Sequence, residues 1–329
     1  MRWRLPDRAG LLRRLRGILP AAIGGVAGIA AVLWFSADDP VPPPPSASLP
    51  LTQWESRPLP PQTQAEPAPQ SRKAAPQPAQ TAGQRVLAPR IAPAWRRYAV
   101  ASAPVAGRPR IAVVIDDMGV DRRRSARAVA LPGPLTLAFL PYADELPAQT
   151  RIAHAAGHEL MLHVPMEPEL AGLDPGPTVL RAKDTDQDID RKMAWALGQF
   201  EGFVGINNHM GSRFTADAAG MAALMGILNR KGLLFLDSRT SVKSVGLTLA
   251  LQAGVPAAAR DVFLDNEDNA RGVADRLKEV EAVARRNGVA IAIGHPRDAT
   301  LNQLAAWLPT LPDKGFALVP VSAVVKPPG

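Results

Sequence analysis

Two adjacent carboxylates follow an apolar run in the first half of the chain. Residues 111–115 are almost continuously apolar and largely β-branched, which is typical of a strand buried on both faces, and Asp116 and Asp117 come directly after them. Acidic groups at the edge of a core usually serve a metal, a cation or a catalytic step, because burying their charge is otherwise costly. The alternative is that both acids face solvent in a turn before Gly119, or cap the following helix.

Three of the five histidines favour the first interpretation. His163, His209 and His295 each stand at the end of a later apolar run or just beyond it. In parallel α/β folds the carboxyl ends of the strands share one face, where ligands and catalytic groups gather. The histidines are therefore expected to lie close to the Asp pair. Further polar residues at predicted strand ends are Asp237, Arg239 and Asp265.

The elements that would position these groups alternate along the chain from residue 110 onward. Apolar residues recur at helical spacing between the short apolar runs, as at Ile189, Met193 and Leu197. Such alternation over about 220 residues predicts a parallel sheet, open or closed. The predicted strands are residues 111–115, 135–140, 159–163, 203–207, 233–236, 261–264, 289–293 and 316–319.

The composition limits the chemistry and the partners. Of the 329 residues, 47% are hydrophobic, enough for a sizeable core, and none is cysteine, so any metal site must use His, Asp, Glu or backbone oxygen. The chain carries a formal net charge of +8, but residues 1–108 contain 14 basic and 5 acidic residues, against 24 and 25 in residues 109–329. The surplus positive charge thus lies outside the predicted folded domain, and no nucleic-acid partner is expected.

The N-terminal region predicts export. A basic segment, residues 1–17, precedes 18 uncharged residues, 18–35, which are just long enough to span a bilayer. By the positive-inside rule, the chain is expected to be a single-pass inner-membrane protein with a cytoplasmic N-terminus and a periplasmic C-terminal domain. The alternative is a signal peptide that is cleaved to release the protein into the periplasm.

A linker is predicted to follow the membrane segment. Residues 36–108 are rich in Pro, Ala and Gln and bury too little apolar area to offset the entropy of ordering. Near its end, residues 95–98 either begin the ordered structure or form an adhesive patch in the linker. The folded domain is predicted to comprise residues 109–329.

The residues at the strand ends resemble those of the NodB-homology polysaccharide deacetylases, most closely the divergent branch of that superfamily. In that family an Asp pair ends the first strand. A histidine at the third strand is followed four residues later by a second histidine. Another histidine, after a late strand, serves as general acid. Here these positions correspond to Asp116 and Asp117, to His163 and Glu167, and to His295. The family's arginine motif is replaced by the segment 209–213, which begins with His209 and ends with Arg213.

The resemblance covers about residues 108–325 and implies a fold and a cofactor. The fold it implies is an irregular (β/α) barrel of about seven parallel strands. The cofactor is a divalent metal ion, with zinc favoured, bound by Asp117, His163 and His209. Glu167 is expected to be a further ligand or to orient one, the alternative being that it turns into solvent.

The resemblance also implies catalytic roles. Asp116 is the expected general base and His295 the expected acid that protonates the departing amine. Asp265 or Asp237 is expected to hold the His295 ring in one tautomer. Arg213 and Arg239 complete the set of residues expected around the substrate.

Two functions of different classes follow from this site. The leading hypothesis is a metal-dependent N- or O-deacetylase of a cell-envelope glycan such as peptidoglycan. The second is a catalytically inactive module that binds glycan or serves as a scaffold on the same barrel, which the replacement of the second histidine by Glu167 would favour. A hydrolase of another amide or ester would share the same residues.

Overall fold

The computed structural model describes residues 92–326, which form eight α-helices, nine strands and three short 3-10 helices. The predicted membrane segment and most of the predicted linker lie outside these residues. Within the described range, every helix is too short or too polar to cross a bilayer. The strands are β1 (Arg110–Met118), β2 (Thr136–Phe139), β3 (Glu159–Met166), β4 (Phe203–Met210), β5 (Leu234–Asp237), β6 (Ala257–Ala259), β7 (Val262–Phe263), β8 (Val289–Gly294) and β9 (Ala317–Leu318).

Helix α1 precedes the first strand, and the other helices lie between strands, as the apolar spacing predicted. They are α1 (Ala94–Arg97), α2 (Arg122–Val129), α3 (Leu146–Ala155), α4 (Asp186–Leu197), α5 (Ala218–Lys231), α6 (Gly246–Gln252), α7 (Ala270–Asn287) and α8 (Asp298–Trp307). Local signals fix their ends: Thr185 and Asp188 form a capping box at the start of α4, and Gly232 ends α5 in the left-handed conformation.

The sheet curls almost into a closed barrel. Its strand order is β6-β5-β4-β3-β2-β1-β8-β7, with β9 beside β1, and every pairing between strands is parallel. The two edge strands, β6 and β7, are joined by only Arg260 and Asp261. Two intervening residues can span at most about 11 Å, so the two edges of the sheet lie close together. This confirms the predicted irregular barrel, with nine strands rather than about seven.

Alternation along the strands separates the inside of the barrel from its helix-covered outside. In β1, Ala112 and Val114 belong to the inner apolar cluster, which includes Met161 and Ile293, whereas Val113 packs with the outer cluster against the helices. Continuing this alternation places Asp116 and His163 on the inward face in the carboxyl-terminal halves of β1 and β3, and His295 on the same face directly after β8. The fold therefore brings these side chains to one end of the barrel interior.

The ordered structure begins before the predicted boundary at residue 109. Helix α1 carries the buried Ala94, and the backbone N–H of Trp95 donates a hydrogen bond of 2.9 Å to the carbonyl of Gly232. Trp95 and Tyr98 pack on the core as partly buried aromatics. The C-terminal part of the predicted linker is thus a structural part of the barrel domain, and residues 95–98 begin its ordered structure.

A truncation series tests this corrected boundary. A chain beginning at residue 109 is expected to unfold with a free energy about 3 kcal/mol lower than one beginning at residue 92, because it loses the burial of two aromatic side chains. Urea denaturation of both chains measures the difference. Trp95→Ala in the longer chain should reproduce part of the loss, and equal stability of the two truncated chains would contradict the role given to α1.

Candidate metal and catalytic site

A bulge at the end of β1 turns two consecutive aspartates toward the same site. Neighbouring residues of a regular strand point to opposite faces, but the pairing of β1 with β2 shifts register between Ile115 and Met118. Within this irregularity Asp117 has a φ of 54°, in the left-handed region. As a result the carboxylates of Asp116 and Asp117 both approach His163 Nε2, at 3.8 and 3.2 Å.

Asp117, His163 and His209 form a triangle of potential ligand atoms. Asp117 Oδ1 lies 3.2 Å from His163 Nε2 and 2.8 Å from His209 Nδ1, and the two nitrogens are 3.2 Å apart. The Oδ1 atom is buried and has no partner in hydrogen-bonding geometry. These three are the described residues whose His or carboxylate atoms cluster closely enough to hold a metal ion.

The triangle fits a divalent cation. Tetrahedral ligands at the usual zinc distances of about 2.0–2.1 Å stand about 3.3 Å apart, close to the observed separations. A carboxylate with two imidazoles is also a donor set that zinc accepts. A cation would also satisfy the buried Oδ1 of Asp117, which lacks a hydrogen-bond partner within the described residues.

The electrostatics of the ligand-free site show how strongly these groups interact. Burial alone would raise the pKa of Asp117, but the adjacent imidazoles of His163 and His209 lower it well below its usual range. Burial alone would lower the pKa of His163, but the charges of Asp116 and Asp117 raise it to about 9. In the ligand-free protein a proton on the imidazole thus partly compensates the carboxylates, and a bound cation would displace it.

Asn207 connects the expected base to an expected ligand, and sequence reasoning did not assign it a role. Its Oδ1 lies 2.8 Å from His163 Nδ1, and its Nδ2 donates a hydrogen bond of 2.7 Å to Asp116 Oδ1. The first contact is a hydrogen bond when Nδ1 carries the proton, which leaves Nε2 as the ligand atom. The available sequence signal was weak: Asn207 is a polar residue at the end of the predicted strand 203–207, two residues before His209.

Asp116 is held where a general base would be needed. Its side chain is buried, and burial raises the pKa of its carboxyl despite the opposing effects of His163, His295 and the Asn207 amide. One carboxylate oxygen accepts from Asn207, while the other faces His163 at 3.8 Å. A raised pKa makes the ionised carboxylate a stronger base.

His295 has the aspartate partner that the sequence left open between Asp265 and Asp237. Its Nδ1 lies 3.0 Å from Asp265 Oδ1, and its backbone N–H donates to Asp265 Oδ2 at 2.7 Å. Thr300 donates a further hydrogen bond to Asp265, so the carboxylate is fixed. Burial alone would lower the pKa of His295, but the contact with Asp265 raises it. The Nε2 atom lies 3.7 Å from Asp117 Oδ2 and faces the site.

Glu167 does not join the ligand group. Strand β3 continues through Met166, so Glu167 lies about 13 Å along the strand from His163, whereas the same spacing in a helix would have brought them together. Its carboxylate accepts a hydrogen bond of 2.9 Å from the backbone N–H of Ala182 and lies 4.0 Å from the Nε of Arg213. Glu167 and Arg213 therefore organise the loop after β3 instead of the metal site.

The remaining predicted residues lie beside the site. A cleft of about 490 Å³ contains the Asp pair and the three histidines, and Arg239 lines it. Asp237 lies in an adjoining cleft, where it accepts hydrogen bonds from the backbone N–H of Arg239 and the hydroxyl of Ser244. The polar residues Asn208, Ser238, Arg260 and Arg297, which the sequence did not single out, also line the first cleft.

Comparison with known proteins gives the site a context. A sequence model of divergent polysaccharide deacetylases matches residues 113–325. The uncharacterized protein YibQ of Escherichia coli K12 is 35% identical over 230 residues, which cover 70% of this chain and 71% of that protein. An uncharacterized protein of Haemophilus influenzae is 36% identical over 210 residues, 62% of this chain and 72% of that one. The crystal structure of the uncharacterized protein ATU2773 of Agrobacterium tumefaciens C58 superposes with a TM-score of 0.69 and 29% identity, covering 71% of this chain and 95% of that one.

Measurements of bound metal distinguish the role of the three triangle residues from that of Glu167. Asp117→Ala is expected to reduce bound zinc from about one ion per chain to near zero, because it removes the only carboxylate of the triangle. Glu167→Gln is the matched control, since its carboxylate lies outside the group, and should retain the ion. Elemental analysis after dialysis measures both, and full loading of Asp117→Ala or loss of metal in Glu167→Gln would contradict this assignment.

Proposed function

The chain belongs to the divergent polysaccharide deacetylase family, and from that membership we propose that it is a metal-dependent carbohydrate deacetylase of the cell envelope. It would remove N- or O-acetyl groups from a glycan such as peptidoglycan, on the periplasmic side of the inner membrane to which its N-terminal segment anchors it. The observation that carries the proposal is the ligand triangle of Asp117, His163 and His209, flanked by Asp116 and His295. A metal site alone would need neither of the last two residues.

Asp117, His163 and His209 would hold the cation, for which zinc is the best match to the donor set. When bound, such an ion supplies Lewis acidity to the acetyl carbonyl and makes an adjacent water more acidic. Asn207 fixes the His163 ring so that the Nε2 atom is presented to the cation. The protein thus orients the ligands before substrate arrives.

Asp116 would act as the general base. Its Oδ1 is held by the Asn207 amide, so the carboxylate has one defined orientation. Burial raises its pKa, which increases its proton affinity when ionised. In this position it would accept a proton from the water that attacks the acetyl carbon.

His295 would act as the general acid. Asp265 accepts from its Nδ1–H and stabilises the protonated ring, so that Nε2–H is the proton available to the site. The ring of Phe263 packs edge-on against His295, with centroids 5.6 Å apart, and limits its rotation. This proton would pass to the nitrogen or oxygen that leaves the acetyl group.

Replacement of the base tests catalysis without disturbing the ligands. Asp116→Asn is expected to keep stoichiometric zinc and to lower acetate release by at least about 100-fold, since the amide accepts hydrogen bonds but does not take a proton at neutral pH. Acetylated chito-oligomers and peptidoglycan fragments are the substrates, with Asp184→Asn, at a carboxylate that pairs with Lys192 outside the cleft, as the control. Undiminished turnover by Asp116→Asn would assign the base elsewhere. Metal binding without acetate release from any substrate would favour the inactive glycan-binding module.

The pH profile tests the pairing of His295 with Asp265. The acid must be protonated, so activity falls as pH rises through the pKa of His295, which Asp265 raises. Asp265→Asn removes this stabilisation of the charged ring, and the alkaline limb of kcat is expected to move to lower pH. An unshifted alkaline limb would show that another group donates the proton.

A further inference from the structure

Two arginines stand between the catalytic cleft and a second cleft beside it. The second cleft, of about 590 Å³, lies next to the loop that follows β5, and Arg239 and Arg260 line both clefts. Arg260 occupies the two-residue connection between the edge strands β6 and β7. A substrate that extends from the catalytic cleft into the second cleft would therefore pass these two side chains.

The guanidinium of Arg260 is fixed by the protein but not neutralised at close range. Its Nε donates to the carbonyl of Ser238 at 2.6 Å and its Nη2 to the carbonyl of Arg239 at 2.8 Å. It also lies over the ring of Phe263, 5.0 Å from the centroid. Among the described residues, no carboxylate lies within 4.0 Å of it, although many other arginines have one. A half-buried guanidinium held in this way offers its remaining N–H groups in a fixed direction.

Arg239 is held in place by a strained backbone. Its φ is 50°, in a region that arginine seldom adopts, and the carboxylate of Asp237 fixes its N–H at 2.8 Å. Its backbone carbonyl accepts the hydrogen bond from Arg260 Nη2, so the backbone of Arg239 helps to position the Arg260 guanidinium. The guanidinium of Arg239 likewise has no carboxylate within 4.0 Å in the described part of the chain.

The nearby acids lie beyond salt-bridge distance of the two guanidinium groups. Asp237 and Asp261 keep their negative charges and act on Arg260 only at longer range, and hydrogen bonds hold their carboxylates to the backbone N–H groups of Arg239 and Ile291. The catalytic cleft holds two aspartates against three arginines, with Arg297 as the third. Its formal charge is therefore positive even before a divalent cation is counted, which suits a negatively charged ligand.

We infer that Arg239 and Arg260 form a subsite for an oxyanion carried by the substrate next to its acetylated sugar, so that the preferred substrate is an acidic glycan. The inference rests on the proposed function and narrows its substrate class. Planar guanidinium groups bind carboxylate or phosphate through paired hydrogen bonds, which a neutral sugar would not match. The uncharged part of the substrate would remain in the cleft with the metal ligands.

Sugar binding to a variant that does not turn over its substrate tests the subsite separately from catalysis. The full chain with Asp116→Asn, loaded with zinc, is titrated calorimetrically with three tetrasaccharides of equal length: neutral acetylated chitotetraose, one that contains N-acetylmuramic acid, and one phosphorylated at a sugar 6-hydroxyl. We expect at least one acidic tetrasaccharide to bind about tenfold more tightly than the neutral one, and the difference to shrink as salt is added. Whichever acidic sugar binds more tightly identifies carboxylate or phosphate as the recognised group.

Matched charge variants assign the effect to the subsite. Arg239→Gln in the same background should weaken binding of the acidic sugar more than binding of the neutral one, and adding Arg260→Gln should remove the preference. Arg286→Gln removes one positive charge from the exposed last turn of α7 and should retain the preference. Equal binding of all three sugars, or a preference that survives Arg239→Gln together with Arg260→Gln, would overturn the inference.

Acetate release by the unaltered chain distinguishes failure of the subsite from failure of the proposed function. Release from neutral and acidic sugars with equal KM would support the deacetylase and overturn the subsite. Selective binding of an acidic sugar without any acetate release would support the subsite and contradict the proposed activity.

Discussion

The close approach of one carboxylate to two imidazoles is the interaction that the rest of the site depends on. Asp117 Oδ1, His163 Nε2 and His209 Nδ1 lie within 2.8–3.2 Å of one another. Three lone-pair-bearing groups at this separation repel each other unless a proton or a cation lies among them. The barrel must therefore supply rigid positions for the three groups, and it does so from the ends of β1, β3 and β4. Asn207 and the buried Asp116 are then arranged around the ligands and not around the substrate.

The sequence was sufficient for a parallel sheet and for most of the site because both follow from simple periodicities, whereas the barrel was implied by the family resemblance. Strand–helix alternation predicted a parallel sheet, and the common face of its strand ends predicted that Asp116, Asp117, His163, His209 and His295 would meet. The features that the sequence did not predict depend on three-dimensional geometry, which the spacing of residues along the chain does not encode. Glu167 falls away from His163 because β3 runs three residues beyond its predicted end, through Met166. The short strand β6 consists of three alanines, a residue type that favours helix over strand, so no strand was predicted there.

The same limit explains the misplaced domain boundary and the unassigned Asn207. Residues 94–98 lie among prolines, alanines and arginines, so only their contacts with the barrel show that they belong to it. Asn207 acts by joining β1 to β3 from its own position in β4, a relationship among three strands that are distant in sequence. Amino-acid composition describes a segment by itself, whereas the roles of residues 94–98 and of Asn207 depend on their contacts with other parts of the chain.

The left-handed backbone at Asp117 also constrains how this protein can change over evolutionary time. Besides glycine, only asparagine and aspartate adopt that conformation readily, so few residue types fit position 117 without strain. Of these three, aspartate alone brings a charged ligand. A single change to asparagine or glycine would therefore remove the charge while leaving the barrel unstrained. For the proposed deacetylase, a stable but inactive relative is therefore a single substitution away at this position.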